Sequence, residues 1–565
     1  MNYKVILGSL TCVMLMASCT DEMNHKEYTV YGKKYVENNF DYTAALVTNI
    51  YTYLDNDFGS LSGAMLASAT DEAEYTYNNN TVCDFYNGTW SPLQPIASAW
   101  SNSYAAIQQA NLFLQEFQGL TFPEFEANDD YKSRLEQYQA FPYEVRALRA
   151  YFYFNLVRQY GGVPLFGNLI TPEEVNDLTR ASAKDVFQFI INECDDILPK
   201  VPMRWSEISS GIDDTKNAGR INKLFVLALK ARTTLYAASP LFNTNNDPSL
   251  WQKAVVANQA LLDAAVAEGK KLGNYADIWA ESNYKGGEII FALRQETSNT
   301  YEKYNFPMGL EGGNGGNCPT QNLVDAYEML NGKAIDEIGS GYDPQNPYKD
   351  RDPRFALTVA VNGELKWPDY NTSELQTYYG GLNGEPLLGA TPTGYYLKKL
   401  LNRAVTLQSG KTNTKLHSWV TFRLGEFYLN YAEAAFRSTG SADVVPTGGT
   451  LTAREAVNMI RQRTGVKMPE LPTGLSADAF LAKYENERFI ELAFEGHRFW
   501  DLRRWKKGSE LQSITEMKIT KNADGTFTYT RHNVSRKWDD KMYLFPIPQS
   551  ERLKNPNLEQ NPGWE

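Results

Sequence analysis

"EVRALRAYFYFNLVRQYGGVPLFG", residues 144–167, reads as one helix and its end. Val145, Leu148, Phe152 and Leu156 recur at three- and four-residue spacing, which lines one face of an α-helix. Gly161 and Gly162 supply a left-handed cap, and Pro164 prevents continuation. The same periodicity runs outward from this segment. It places Ala45, Val47, Ile50 and Leu54 on a helix in 41–56, and Trp100, Tyr104, Ile107 and Leu112 on one in 95–117. Further helices are predicted at 183–198, 221–238 and 249–268.

The middle of the chain changes character. "GGEIIFALRQ" (286–295) and "RFALTVAVNG" (354–363) read as strands, set among Gly-, Asn- and Tyr-rich loops with one short helix, "TQNLVDAYEML". After residue 418 helices return in "TFRLGEFYLNYAEAAF", "AREAVNMIRQR" and the long "LAKYENERFIELAFEGHRFWDLRRW". The expectation is a mainly α scaffold carrying an irregular, loop-rich half with a few short strands, the arrangement on which binding surfaces are commonly built.

At the N-terminus, the apolar run from Val5 to Ala17 is too short for a spanning helix, which needs roughly 20 residues. Lys4 precedes it, and Ala17 and Ser18 close it before Cys19, the layout of a cleaved export signal. The small-small-Cys ending resembles a bacterial lipobox. It departs from that pattern at Met16, where such boxes more often carry leucine. The expectation is a signal peptide at 1–18, lipidation at Cys19 and a polar tether over 19–38. Asp21 and Glu22 resemble an acidic surface-export signal.

Of 565 residues, 13% are aromatic, including 35 Tyr and 11 Trp, so rings must be divided between core and binding surface. The net charge of −12, with no Lys/Arg block, argues against nucleic acid. Beyond Cys12 and Cys19, Cys83, Cys194 and Cys318 lie too far apart for a disulfide framework. The histidines (His25, His417, His497, His532) have no metal-box spacing. A calcium site in "DNDFG" (55–59) has no 12-residue pattern behind it, so no cofactor is expected.

The most catalytic-looking segment is 485–505. Glu487, Glu491 and Glu495 recur every four residues and would stack on one helix face, and a carboxylate pair about 5–10 Å apart would suit glycoside hydrolysis. Arg488, Arg498, Arg503 and Arg504 can pair them, however, and paired carboxylates suit architecture better than catalysis. There is no G-x-S-x-G elbow, P-loop or Rossmann fingerprint, and glycine-rich "GGNGGNC" (312–318) lacks the strand-to-helix setting of a phosphate cradle.

Several segments together, in order from about residue 95, resemble the SusD/RagB family of outer-membrane lipoproteins. They are "EVRALRAYFYFNLVRQYGGVPL", "GRINKLFVLALKARTTLYAASP", "LVDAYEMLNGK" with "RDPRF", "FRLGEFYLNYAEA", "VNMIRQRTGV", "NERFIELAFEGHRFWDLRRW" and "YLFPIPQSERLKNPNLEQNPGW". The resemblance implies a tetratricopeptide-like helical fold, although only "LGEFYLNYAEA" shows an L-G-x2-Y fragment and no 34-residue period is visible. It divides the chain into an N-terminal helical region (39–285) and a C-terminal region (286–565). It implies a binder and not an enzyme, anchored by lipid on the outer membrane and facing outward. Such a protein captures an oligosaccharide, or in some relatives a peptide, for a SusC-like TonB-dependent transporter.

A sugar site needs exposed rings for stacking and polar side chains for hydroxyls. Two regions concentrate both outside helical stripes: 71–90, with Asp71, Tyr75, Tyr77, Tyr86, Asn87 and Trp90, and 301–318, with Tyr304, Phe306 and Asn317. A third, 369–396, adds Tyr378–Tyr379 and Tyr395–Tyr396, of which at most one per pair faces ligand, Tyr396 being the candidate in the second. Trp90 leads the set, because "NGTWSP" sets a large ring between turn residues. The competing reading closes that ring onto the helical core.

Overall fold

The structure, a computed structural model, describes residues 33–565. The signal peptide, Cys19 and most of the tether predicted for 19–38 lie outside the described residues. The helix around residue 144 is longer than its apolar stripe suggested: it spans Tyr131–Tyr160. It ends where expected, with Gly161 at φ +70° and its N–H bonded to the Val157 carbonyl.

Seven further helices frame the scaffold. With it they make eight, numbered in chain order α1 (Phe40–Tyr51), α2 (Trp100–Glu116), α3 (Tyr131–Tyr160), α4 (Ala183–Ile197), α5 (Lys223–Ala238), α6 (Pro248–Ala267), α7 (Leu424–Thr439) and α8 (Ala453–Arg461). Side-chain caps open several of them: Ser182 accepts from the Asp185 N–H, Asn222 from that of Phe225 and Asp247 from that of Ser249. Along the chain α2 packs on α3, α3 on α4, α4 on α5, α5 on α6, α6 on α7 and α7 on α8. This is the stacked-pair construction of a tetratricopeptide-like array, in which each unit buries its face on its neighbour. Charge pins the layers. Arg149 of α3 donates to Asn111 of α2 (2.7 Å) and to Glu193 of α4 (2.8 Å).

The irregular half holds four two-stranded antiparallel sheets: β1 (Ala73–Tyr75) with β3 (Asn317–Pro319), β2 (Ile289–Ser298) with β6 (Lys415–Arg423), β4 (Val359–Ala360) with β5 (Tyr396–Leu397), and β7 (Ser513–Lys521) with β8 (Phe527–Ser535). It has its own apolar core around Phe306, Tyr327, Phe355, Trp367, Tyr395 and Tyr396.

Three sequence expectations change. The first half of "RFALTVAVNG" is helical, within Pro353–Thr358, because Asp352 caps the Arg354 N–H and Pro353 starts the turn; only Val359–Ala360 is strand. "TFR" belongs to β6, and the helix begins at Leu424. The long C-terminal helix is two, α9 (Ala477–Glu491) and α10 (His497–Arg504), broken where Phe494 and Gly496 take φ +62° and +77°.

That break changes the glutamate row without freeing it. Glu491 accepts from Arg354 (2.9 Å), Arg423 (2.8 Å) and Arg463 (2.9 Å), Glu487 from Arg354 (2.6 Å) and Arg461 (2.8 Å), and Glu495 from Arg423 (2.7 Å) and Lys399 (2.8 Å). The partners come from other elements, whereas the neighbouring arginines go elsewhere: Arg488 to Asp501, Arg498 to Asp71 and Arg504 to Glu433. Against the cost of burial, the three arginines hold Glu491 far below the usual carboxylate range.

Candidate functional site

The β1–β3 ladder pairs Tyr75 with Asn317 and Glu74 with Cys318, which joins the two aromatic regions the sequence offered separately. Tyr77 follows two residues after the end of β1, and its ring centroid lies 6.0 Å from that of Tyr75. Tyr304 arrives from the other region. It meets Tyr75 over Gly63, where an added Cβ would lie 2.6 Å from the Tyr75 hydroxyl and 3.1 Å from the Tyr304 ring. Gly63 takes φ +96°, so both its conformation and the space around it require glycine. Burial, with Tyr77 and Tyr304 nearby, pushes the Tyr75 phenol up to about 12.

The third region closes the rim. Asn383 donates to the Met308 carbonyl (2.8 Å), and a Cβ on Gly389 would lie 2.5 Å from the Tyr77 hydroxyl. Tyr77 and Tyr304 are half-buried, so each keeps part of a ring open, while Tyr75 backs them. Leu382 and Leu388, on the loop that meets Gly309 and Tyr77, are exposed. The result is an uncharged surface of phenol rings and hydroxyls, suited to stacking on apolar faces and bonding to hydroxyl groups.

Most of the predicted site residues support this surface from behind. Trp90 is 4% exposed and wedged edge-on among Phe85, Phe545 (both 4.8 Å) and Trp564 (5.0 Å), so it closes the loop onto the core and offers no face to ligand. Asn317 is fully buried. Its carbonyl accepts from the Met65 N–H and the Ser68 hydroxyl, and its amide donates to the Gly63 carbonyl and to Asn305. Asp71 takes a bidentate bond from Arg498 (2.9 and 2.7 Å). Phe306 is buried against Trp367 and Tyr370. Tyr396 is buried too, donating to the Asn383 carbonyl (2.6 Å), and its neighbour Tyr395 donates to Gln321. Tyr86 lies under Arg536 (4.1 Å), and exposed Asn87 caps its own turn at Thr89. At Tyr378–Tyr379, which lie in a turn and not on a strand, Tyr378 packs on Phe527 and Tyr379 is 67% exposed. Tyr77, named among the aromatics of 71–90 though not singled out, is the member of that region whose ring stays partly open.

Cys83, Cys194 and Cys318 are free thiols, all buried. Among the described residues no three His, Cys, Asp or Glu side chains are placed to hold a metal ion. In "DNDFG", Asp55 accepts from Tyr151, Asn155 and Arg158, and Asp57 from Ser60 and the Leu66 N–H. No helix among the described residues is long and apolar enough to cross a membrane.

The sequence model of the SusD family matches residues 287–564, and a second, described as starch-binding associating with outer membrane, matches residues 27–218. SusD-like protein P25 of Formosa agariphila is 22% identical over 496 residues, covering 82% of this chain and 78% of its own. A SusD-like protein of Bacteroides fragilis superposes with TM-score 0.74 at 25% identity, over 94% of this chain and 98% of its own. A SusD-like carbohydrate-binding protein from the same organism gives 0.72 at 23%, over 93% and 100%. With both halves matched in order and the whole fold shared, the chain belongs to the SusD/RagB family.

Proposed function

We propose that this protein is a cell-surface lipoprotein that captures an oligosaccharide on the Tyr75–Tyr77–Tyr304 surface and passes it to a SusC-like TonB-dependent transporter. The observation that carries the reading is the β1–β3 ladder, which assembles neutral phenol rings from two distant loops into one surface. Neutral rings and hydroxyls suit a sugar, whose C–H faces stack while its hydroxyls bond. The carbohydrate-binding relative from B. fragilis supports the ligand class, and the family supports the outer-membrane setting. Cys19 would carry the lipid, holding a water-exposed body at the membrane without a spanning segment. The role is binding without bond cleavage: the carboxylates that resembled a hydrolase pair are saturated by arginines.

Isothermal titration of the chain from Thr20 onward, against oligosaccharide and peptide panels, tests this, with Tyr77→Ala and Tyr304→Ala alongside. Heat from a glycan class, reduced in both variants and without release of reducing ends, is the expected result. Binding to peptides alone, or glycan binding indifferent to both substitutions, would overturn it.

A further inference from the structure

A cavity of about 320 Å³ opens in the irregular half, framed by the Tyr275–Trp279 turn, the Pro353–Thr358 helix and the stretch 398–403 that follows β5. That volume falls within the range of small-molecule sites, about 300–1,000 Å³. No residue of the tyrosine surface lines it. Exposed Ala276, Ala280 and Ala356 stand at its mouth, and Trp279, Trp367, Leu400 and Leu401 line it further in.

What distinguishes the cavity is a pair of idle donors. Trp279 and Trp367 each carry a buried indole N–H that has no hydrogen-bond partner among the described residues. A buried indole normally finds an acceptor, so two unpaired ones in a single wall call for a ligand or ordered water. Both rings are held in place: Lys399 lies 4.8 Å over Trp279, Lys398 lies 5.5 Å over Trp367, and Phe306 meets Trp367 edge-on at 6.0 Å. Asn402 adds a third donor at the rim. Its Oδ1 accepts from the Ala404 N–H (3.1 Å), while its amide nitrogen makes no bond among the described residues.

The wall carries no free charge. It includes no carboxylate, and its three cations are spent: Lys398 on Glu364 (2.8 Å), Lys399 on Glu495 (2.8 Å) and Arg403 on Asp369 (2.6 Å). A charged ligand would lose hydration there without gaining a partner. A wholly apolar ligand would match the leucines but leave both indole N–H groups unpaired. An apolar face ringed by uncharged acceptors satisfies both demands, and a pyranose ring has that form. The cavity is also preformed. Leu400 lines it at φ +70°, a left-handed conformation that leucine rarely takes and that persists only where the surroundings fix it. Here the Lys398 N–H bonds the Thr358 carbonyl (2.9 Å) and the Asn402 N–H bonds Glu302 (2.9 Å).

We infer that this cavity is a second carbohydrate site, separate from the tyrosine surface, that takes a single uncharged pyranose unit. The C–H face of the sugar lies on Leu357, Leu400 and Leu401, and its hydroxyl oxygens accept from the two indole N–H groups and the Asn402 amide.

The test first removes the tyrosine surface. On the chain from Thr20 carrying Tyr77→Ala and Tyr304→Ala, saturation-transfer NMR and tryptophan fluorescence are recorded with the methyl glycosides of glucose, galactose, mannose and xylose. Sodium glucuronate and cyclohexanol serve as the charged and the apolar control. Two further substitutions probe the cavity: Trp279→Phe removes one N–H and keeps a ring, and Ala280→Arg fills the exposed mouth without entering the core. At least one glycoside should bind, at least tenfold more tightly than either control, with affinity lowered about threefold or more by Trp279→Phe and abolished by Ala280→Arg. Absence of glycoside binding, equal binding of either control, or binding that either cavity substitution leaves unchanged would each overturn the inference. The tyrosine surface is judged apart from this, by what Tyr77→Ala and Tyr304→Ala do to glycan binding when the cavity is intact.

Discussion

Replacing Trp90 with alanine distinguishes a core ring from a ligand platform. The side chain is 4% exposed and touches three aromatic rings edge-on at 4.8–5.0 Å. Truncating such a residue costs about 3–5 kcal/mol, the transfer of the indole plus the cavity left among Phe85, Phe545 and Trp564. In a chain this long the urea dependence exceeds about 3 kcal/mol per molar, so the unfolding midpoint should fall by up to about 1.7 M. A stacking platform would behave oppositely: stability would hold, and glycan affinity would drop by about 0.5–1.5 kcal/mol, up to about tenfold. Urea unfolding followed by fluorescence, with titration of the best glycan at low temperature where the variant stays folded, separates the two. An unmoved midpoint with lost binding would refute the packing argument and restore Trp90 to the site.

Asn317→Ala removes the group that holds the Gly63 loop, leaving the Met65 N–H and Gly63 carbonyl without partners; hydrogen exchange should accelerate across 59–68 and glycan binding should weaken. Unchanged exchange there would disprove the link. Gly63→Ala forces a side chain into a positive-φ position against Tyr75 and Tyr304, so it should reduce binding more than global stability, read by paired calorimetry and titration. Glu491→Gln leaves three buried arginines short of a charge and should cost about 3–5 kcal/mol in denaturant unfolding. Burial raises Asp57 to about 7, Glu72 to about 8 and Glu74 to about 7. Such groups bind their protons more tightly folded than unfolded. Their contribution is therefore full below the ordinary carboxylate range and lost as pH rises through 7–8, so Glu72→Gln should flatten the decline of stability between pH 5 and 8. A decline as steep as that of the unmodified protein would exclude Glu72 as its source.

The helical scaffold was legible because its signals are local. A periodic stripe, a capping Ser, Asn or Asp, and a Gly-Gly-x-Pro stop can each be read within a few residues, and α4, α5 and α6 lie within two residues of their expected bounds. The irregular half depends on contacts far apart in sequence, and there local signals misled. "RFALTVAVNG" has strand composition, but one aspartate cap and a proline turned its first half into helix. The β7–β8 hairpin went unread although Asp524-Gly525 sits between two alternating runs, a hairpin signal in its own right.

The arrangement of the tyrosine surface was hidden for a related reason. Composition locates where aromatics gather, but it does not say which way each ring points; that is set by a ladder between residues 73–75 and 317–319, some 240 positions apart. Once Tyr75 pairs with Asn317, the chain leaving β1 brings Tyr77 beside it, and Gly63 admits Tyr304 next to Tyr75. The same folding event draws Trp90 inward, because the C-terminal segment supplies Phe545 and Trp564 as its walls. A tryptophan in a turn and a tyrosine in a strand thus exchange the roles their neighbours in sequence suggest. What the site presents is fixed by which distant segment arrives to cover each ring, and that makes Asn317 and Gly63, neither of them a stacking group, the residues on which the geometry of the tyrosine surface most depends.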